Sequence, residues 1–222
     1  MKDGVCVIIP AYNEEHVIAG VVEGVRRAGY HDVIVIDDGS ADRTALYARK
    51  AGAVCLRHIL NRGKGAAIRT GIEAAIRRRA GIIVTFDGDG QHDPHDIERL
   101  VSPLRRGYDV SLGSRSRNRD SMPKIRRIAN TLGNAVTWGL YGVRVTDSQC
   151  GLRAYTRRAC ERFGTLNDRY EYDTEVIREI AHYRMKYIEV PVTVRYTRYS
   201  LKKKDRQSFV NGLRTLLKLL IS

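Results

Sequence analysis

The sequence lacks any apolar run that approaches the roughly 20 residues needed to cross a bilayer, although 43% of its residues are hydrophobic. The apolar run at residues 5–10 is too short for a signal peptide, and polar residues follow it. We therefore expect the protein to remain in the cytoplasm. Its four cysteines occur without CxxC spacing, so neither a zinc site nor a disulfide framework is indicated.

Aromatic residues are also scarce, at 7% of the chain, and no recognised nucleic-acid motif or aromatic stacking platform is present in the sequence. Positive charge, in contrast, is in excess. The 39 lysines and arginines outnumber 25 aspartates and glutamates, which gives a formal net charge of +14. That balance attracts polyanions such as nucleic acid, acidic lipid or phosphorylated substrates, and it does not choose among them.

Short β-branched runs alternate with amphipathic stretches about every 25 residues, which is typical of βαβ units around a mostly parallel sheet. A chain of 222 residues is long enough for one such domain and short for two. Strands are predicted at 5–9, 33–36, 54–56, 82–86 and 187–195, with Pro191 indicating an edge strand or a bulge. Helices are predicted at 17–29, 42–50 with Asp42 as its cap, 64–79, from 94 onward, 171–182 and 209–221.

The segment at residues 87–91 directly follows a predicted buried strand, so its carboxylates lie at a strand's carboxyl end, where open α/β sheets bind ligands. Asp87 and Asp89 are one residue apart and can share a hard divalent cation, for which Mg²⁺ or Mn²⁺ suits oxygen ligands best. Gly88 lets a phosphate or ribose approach the backbone. The cation would neutralise charge on a diphosphate leaving group. A turn carrying two solvated aspartates is the plainer alternative.

A calcium loop is a rival interpretation of the same segment. The first, third, fifth and twelfth positions of an EF-hand pattern are matched by Asp87, Asp89, Gln91 and Glu98. However, the sixth position requires glycine and holds His92, and a strand rather than a helix precedes the loop. The context therefore favours the strand-end site.

Six segments, spread in order over about 150 residues, carry further signal: residues 7–14, 35–40, 61–65, 87–94, 113–115 and 147–155. Each is weak alone, but together they are specific. They resemble the family 2 glycosyltransferases of the GT-A fold, and within them the dolichyl-phosphate mannose and glucose synthases. The resemblance implies a single Rossmann-like GT-A catalytic domain over residues 1–200, with a mostly parallel central sheet, and a metal-dependent transfer of a hexose with inversion.

The resemblance also assigns expected roles to individual residues. The donor pocket is expected to include Pro10, Tyr12, Glu14, Asp38, Lys64, Asp87 and Gly88. Asp38 would contact the base, and Lys64 would contact the donor phosphates, with a solvated surface lysine as the alternative. The metal ligands would be Asp87, Asp89 and Gln91.

Arg115 would face an acceptor phosphate, because its planar guanidinium can donate two parallel hydrogen bonds. A polyprenyl phosphate acceptor is already ionised near neutral pH and needs no catalytic base. A sugar hydroxyl acceptor needs a carboxylate within hydrogen-bond reach, and Asp147 and Asp173 are the two choices. The expected catalytic set is therefore Asp89, Arg115, Asp147 and Asp173.

GDP-mannose is the first expected donor and UDP-glucose the second, with a polyprenyl or dolichyl phosphate or a lipid-linked saccharide as acceptor. A sugar nucleotidyltransferase and a nonspecific nucleic-acid-binding protein are the alternatives from other classes. The remaining expected partner is an anionic membrane surface, and the oligomeric state stays open.

Several relatives carry transmembrane helices after the catalytic domain, whereas residues 201–222 form a basic and amphipathic segment. We expect this segment either to lie at the membrane interface or to pack on the core or a partner subunit. The protein is then expected at the cytoplasmic face of the membrane, either peripheral or anchored by a region outside this sequence.

Overall fold

A seven-stranded sheet forms the centre of the computed structural model, which describes residues 4–115, 131, 134, 138–163 and 172–195. Its strands are β1 (Val5–Ala11), β2 (Asp32–Asp37), β3 (Val54–Arg57), β4 (Ile82–Thr85), β5 (Val110–Ser114), β6 (Arg153–Thr156) and β7 (Tyr187–Pro191). They lie in the order β3-β2-β1-β4-β6-β5-β7. Only the two pairings of β6, with β4 and with β5, are antiparallel. The predicted α/β domain with a mostly parallel sheet is confirmed.

Helices cover both faces of this sheet. They are α1 (Ile18–Arg27), α2 (Thr44–Lys50), α3 (Lys64–Arg77), α4 (Asp96–Arg105), α5 (Arg157–Arg162) and α6 (Tyr172–His182). Alternate residues of β1 point to opposite faces, so Val7 and Ile9 pack with α1 and α4. Cys6 and Ile8 pack with α3, α5 and α6 on the other face. Burial on both faces explains why β1 is a continuous apolar run in the sequence.

Some strands and helix ends differ from those predicted from the sequence. β5 and β6 were not predicted as strands, and the last predicted strand ends at Pro191, on the edge of the sheet as its proline indicated. The expected cap at Asp42 is wrong in position, because α2 begins at Thr44. Asp42 nevertheless accepts a hydrogen bond from the Thr44 amide at 2.9 Å, so it still supports the start of this helix.

Two further expectations concern the C-terminal segment and membrane-spanning helices. The predicted helix at 209–221 and the whole segment 201–222 lie outside the described residues. Among the helices that are described, none combines the length and the apolar character required to cross a bilayer.

The chain reverses its direction of travel across the sheet at β1, since β2 and β3 lie on one side of it and β4 lies on the other. The carboxyl ends of β1 and β4 therefore meet at a topological switch point, the usual ligand crevice of open α/β sheets. Their closeness is visible at Gly88, where an added Cβ would lie 2.9 Å from the Pro10 carbonyl oxygen.

We predict that Ile8→Ala lowers the free energy of unfolding by about 2–5 kcal/mol, because it empties space at a fully buried position of the central strand. Chemical denaturation measures this change. The control, Leu46→Ala on α2, removes a side chain that is 45% exposed and should change stability by less than about 0.5 kcal/mol. Equal losses in both variants would contradict the described core.

Candidate active site

The loops that follow β1 and β2 are tied together by side-chain hydrogen bonds. The Asn13 amide donates to Ser40 Oγ at 2.9 Å, and the Ala41 amide donates to Asn13 Oδ1 at the same distance. The Glu14 amide donates to Thr44 Oγ1 at 2.8 Å. These bonds fix the strand ends that carry the residues expected to line the donor pocket. Tyr12 is 37% exposed here and Glu14 is 7% exposed.

Asp38, the residue expected to contact the base, holds the loop before α3. Its carboxylate accepts hydrogen bonds from the Arg62 amide at 3.0 Å and the Gly63 amide at 2.7 Å. His58 Nδ1 lies 2.7 Å from the same carboxylate, and its Nε2 lies 3.0 Å from Thr70 Oγ1. Asp38 therefore shapes the loop that leads to Lys64, and any contact with a base is shared with these partners. No local sequence pattern indicates this role of His58.

Asp87 lies just beyond β4 and is paired on both oxygens. Lys64 Nζ is 2.9 Å from Oδ1, and His92 Nε2 is 3.1 Å from Oδ2. Burial raises the pKa of Asp87, but Lys64 and His92 outweigh that effect and hold the pKa well below its usual range. Space for the carboxylate is provided by Gly151, since a Cβ there would overlap both oxygens of Asp87. His92, which the prediction left without a role, thus orients this aspartate.

Lys64 lies between two carboxylates rather than in solvent. Its Nζ is also 3.9 Å from Asp173 Oδ2 at the start of α6. Burial lowers the pKa of Lys64, whereas the charges of Asp173 and Asp87 raise it further, so the ammonium ion is retained. The side chain is 25% exposed. The ammonium group is therefore accessible from the crevice, and its expected contact with a donor phosphate stays a prediction.

Asp173 is further held by Arg153, a fully buried arginine. Arg153 Nη2 lies 3.4 Å from Asp173 Oδ1, and Nη1 donates to the Asp173 carbonyl oxygen at 3.1 Å. The same guanidinium donates to the carbonyl oxygens of Cys150 and Ser148, at 2.8 and 2.6 Å. Arg153 therefore joins the 147–153 segment to α6 and extends the chain of alternating charges that runs from Asp87 through Lys64 to Asp173.

Asp147 and Arg115 form a separate bidentate pair. Arg115 Nε and Nη2 donate to the two carboxylate oxygens at 2.6 and 2.7 Å, and the Arg115 amide donates at 3.0 Å. Burial raises the pKa of Asp147, but Arg115 outweighs it and the net pKa is lowered. A carboxylate in this state is a poor proton acceptor. The expected role of Asp147 as a base has no support in this geometry.

The loop that carries the expected metal ligands is short and tightly turned. Asp89 Oδ1 accepts a hydrogen bond from the Gln91 amide at 3.1 Å. The Gln91 carbonyl accepts from the Arg195 amide at 2.8 Å, and His92 forms a β-bridge with Val194. This donor loop, residues 87–92, is thus hydrogen bonded to the chain that follows β7.

Within the described ranges, no three His, Cys, Asp or Glu side chains gather into a metal-binding group. The donor set of two carboxylates still fits Mg²⁺ or Mn²⁺, because such ions are commonly bound by one or two carboxylates together with substrate phosphates. The ammonium group of Lys64 is the positive charge that lies against Asp87 at this position. Glu98 does not belong to the loop, since it accepts from the Tyr30 hydroxyl at 2.7 Å and pairs with Arg105. This supports rejection of the calcium-loop interpretation.

The sheet, its switch point and the acids and lysine beside it are the features of an α/β protein with a ligand crevice at the carboxyl ends of its strands. The model of the family described as Glycosyl transferase family 2 matches residues 6–164. The chain is 41% identical over 226 residues to an uncharacterised protein of Methanocaldococcus jannaschii, with 99% of this chain and 92% of that protein covered.

A second relative is the UDP-N-acetylglucosamine–dolichyl-phosphate N-acetylglucosaminyltransferase of Methanococcus voltae, 33% identical over 219 residues, with 88% of this chain and 87% of that protein covered. Among solved structures, glucosyl-3-phosphoglycerate synthase of Mycobacterium tuberculosis in complex with Mn²⁺, UDP-glucose and phosphoglyceric acid has a TM-score of 0.67. It is 21% identical, with 97% of this chain and 79% of that chain covered, and shows the shared fold.

The chain therefore belongs to glycosyl transferase family 2 and is a glycosyltransferase with the GT-A fold. This decides against the sugar nucleotidyltransferase and the nucleic-acid-binding alternatives.

We predict that Lys64→Met lowers the free energy of unfolding by about 1–3 kcal/mol, because it leaves Asp87 and Asp173 without their shared counter-ion. Urea denaturation measures the loss. Asp87→Asn added to Lys64→Met should recover part of it by removing one of the two charges. The matched control is Lys50→Met at the exposed end of α2. If the two lysine variants lose the same stability, the bridging role of Lys64 is wrong.

The Asp147–Arg115 pair predicts a pH dependence. Because the pKa of Asp147 is lowered in the folded state, its ionised form stabilises the protein above the unfolded value of about 3.9. This contribution is lost as the pH falls through the folded pKa. The stability difference between the protein and Asp147→Asn should therefore be constant above about pH 5 and shrink below about pH 4. Denaturation at a series of pH values checks this, and a constant difference throughout would contradict it.

Proposed function

We propose that this glycosyltransferase moves a sugar from a nucleotide-diphosphate donor to the phosphate of a membrane lipid. The observation that carries the proposal is the state of the two carboxylates expected as bases. Asp147 is bound bidentately by Arg115, and Asp173 is the counter-ion of Lys64 and Arg153. An acceptor that is already ionised needs neither of them, and a lipid phosphate is such an acceptor.

The reaction then requires positioning and charge neutralisation from the protein. One phosphate oxygen attacks the anomeric carbon, the bond from that carbon to the donor's diphosphate breaks, and the electron pair leaves with the nucleotide diphosphate. Arg115 uses Nε and Nη2 on Asp147 at the end of β5, and its guanidinium would bind the acceptor phosphate from this fixed position. Lys64 would meet the negative charge of the diphosphate from its place between Asp87 and Asp173.

A divalent ion is part of the proposal. Asp87, Asp89 and Gln91 would hold Mg²⁺ or Mn²⁺, and the ion would neutralise charge that develops on the departing diphosphate. The solved structure of glucosyl-3-phosphoglycerate synthase with Mn²⁺ and UDP-glucose supports a divalent requirement in this fold. Pro10 and Gly88, whose backbones approach at the switch point, would border the donor.

A uridine-diphosphate sugar is the donor that we place first. The Methanococcus voltae relative is named for transfer from UDP-N-acetylglucosamine to dolichyl phosphate, and it is similar over most of both chains. GDP-mannose, the first expectation from the sequence, remains the alternative, and UDP-glucose is the second uridine-diphosphate sugar to be tested. We also propose that the enzyme acts at the cytoplasmic face of a membrane, where it would meet a lipid acceptor, either peripheral or anchored by a region outside this sequence.

A donor panel tests the proposal. Purified protein is incubated with polyprenyl phosphate, Mn²⁺ and radiolabelled UDP-N-acetylglucosamine, UDP-glucose or GDP-mannose, and lipid-linked sugar is extracted and counted. We expect one UDP-sugar to be used in preference to the others. Transfer only to a saccharide hydroxyl would contradict the proposed acceptor, and preferential use of GDP-mannose would overturn the proposed order of donors.

We further predict that Asp89→Asn lowers kcat by at least about a hundredfold, because the loop loses a charged ligand for the ion. Its control is Asp32→Asn. Asp32 lies at the amino end of β2, away from the site, where its carboxylate pairs with Arg78, and this variant should retain activity. Thermal unfolding of both variants should stay close to that of the parent protein. Near-normal turnover in Asp89→Asn would refute its assignment.

A further inference from the structure

The loop between β3 and α3 exposes two adjacent apolar side chains. Ile59 is fully exposed, at 102%, and Leu60 is 63% exposed. Among the large hydrophobic side chains in the described part of the chain, these two are the most exposed. Single exposed apolar residues are common on protein surfaces, so their meaning depends on how they are held, where they lie and what surrounds them.

The ends of this loop are fixed by polar contacts. His58 is held between Asp38 and Thr70, and the amides of Arg62 and Gly63 donate to the Asp38 carboxylate. The backbone also rests on Gly39, where an added Cβ would lie 2.6 Å from the Leu60 carbonyl carbon. The loop cannot fold its apolar tip onto the core without breaking these contacts. The contacts at the two ends of the loop therefore hold Ile59 and Leu60 exposed to solvent.

The loop lies at the rim of the active site. It leaves β3 at the carboxyl edge of the sheet, the same edge at which Asp87 follows β4. The loop leads directly into α3, whose first residue, Lys64, reaches Asp87 at 2.9 Å. An acceptor whose lipid chain stays in a bilayer must approach this edge, so the apolar tip and the reacting groups face the same side.

The charges around the tip favour an anionic surface. Arg57 and Arg62 flank it and are exposed, and the whole chain carries a formal net charge of +14. Arg57 is anchored by a hydrogen bond to the Ser40 carbonyl at 2.7 Å and by an ion pair with the buried Asp37 at 3.2 Å, so its guanidinium stays beside the loop with its charge partly neutralised, while Arg62 adds a second positive charge. Apolar residues with basic neighbours are the combination that binds the interface of a bilayer containing acidic lipids.

We propose that the loop at residues 58–62 is a membrane-contacting element: Ile59 and Leu60 enter the interface of an anionic bilayer, and the carboxyl edge of the sheet is thereby turned toward the lipid-linked acceptor. The membrane contact stands on the loop alone, and only the link to the acceptor rests on the proposed function. A contact with bound donor is the competing role for the loop, and the experiments below separate the two.

A local probe tests the contact in the full chain. A polarity-sensitive fluorophore is attached at Ile59→Cys in a Cys55→Ala background, since the other cysteines, Cys6, Cys150 and Cys160, are buried. Vesicles of mixed phosphatidylglycerol and phosphatidylcholine should shift its emission to the blue and protect it from iodide quenching. Pure phosphatidylcholine vesicles should do so more weakly. The matched control is Val54→Cys, 43% exposed at the opposite end of β3, which should stay accessible to iodide.

The proposal is overturned if the probe at position 59 stays fully quenchable while the protein sediments with the vesicles, or if the protein does not bind them at all. It is also overturned if UDP without vesicles gives the same shift, because the loop would then cover the donor.

An activity measurement links the loop to the acceptor. Ile59→Ser combined with Leu60→Ser should reduce transfer to long-chain polyprenyl phosphate in vesicles about tenfold, because the site is no longer turned toward the bilayer. Transfer to a short-chain, water-soluble analogue should be unchanged. Equal losses on both acceptors would contradict the orienting role. If the parent protein used neither acceptor, the proposed function would fail, whereas the fluorescence result would still decide the membrane contact.

Discussion

The interaction on which the site depends is the ammonium group of Lys64 placed between two carboxylates from distant parts of the chain. Asp87 follows a central strand, and Asp173 lies at the start of a helix that packs on the sheet. Arg153 forms a second ion pair with Asp173. Without a cation between them, two acids would converge in a partly buried crevice, at a large electrostatic cost. The same arrangement keeps a positive charge at the switch point before any substrate arrives.

The sequence predicted the parts of the fold whose signal is local. β1 to β4 are apolar runs separated by amphipathic helices, so each strand is visible in its own few residues. β5 contains two serines and a glycine, and β6 begins with Arg153, whose burial depends on three backbone carbonyls and on Asp173. A charged residue is normally evidence against a buried strand. Only the tertiary structure supplies the partners that make it acceptable.

The candidate site divides in the same way. The segment around Asp87 and the glycines beside Lys64 were recognisable because their chemistry lies within a few neighbouring residues. The contact of His58 with Asp38 joins residues 20 positions apart, and that of Arg115 with Asp147 joins residues 32 positions apart. A local sequence pattern therefore does not predict them. For this reason the sequence indicates Asp147 as one of the two choices for a base, whereas both oxygens of its carboxylate accept hydrogen bonds from Arg115. The roles of the individual residues in catalysis stay predictions that the proposed variants address.

The bridge between His92 and Val194, with the hydrogen bond from Arg195 to Gln91, has a consequence for the order of folding. The donor loop leaves β4 early in synthesis, but these partners emerge from the ribosome about 100 residues later. A nascent chain can assemble its first four strands while that loop still lacks its outer support. The outer support of this loop is therefore coupled to synthesis of the chain through residue 195, and a product stalled before that point would lack these contacts.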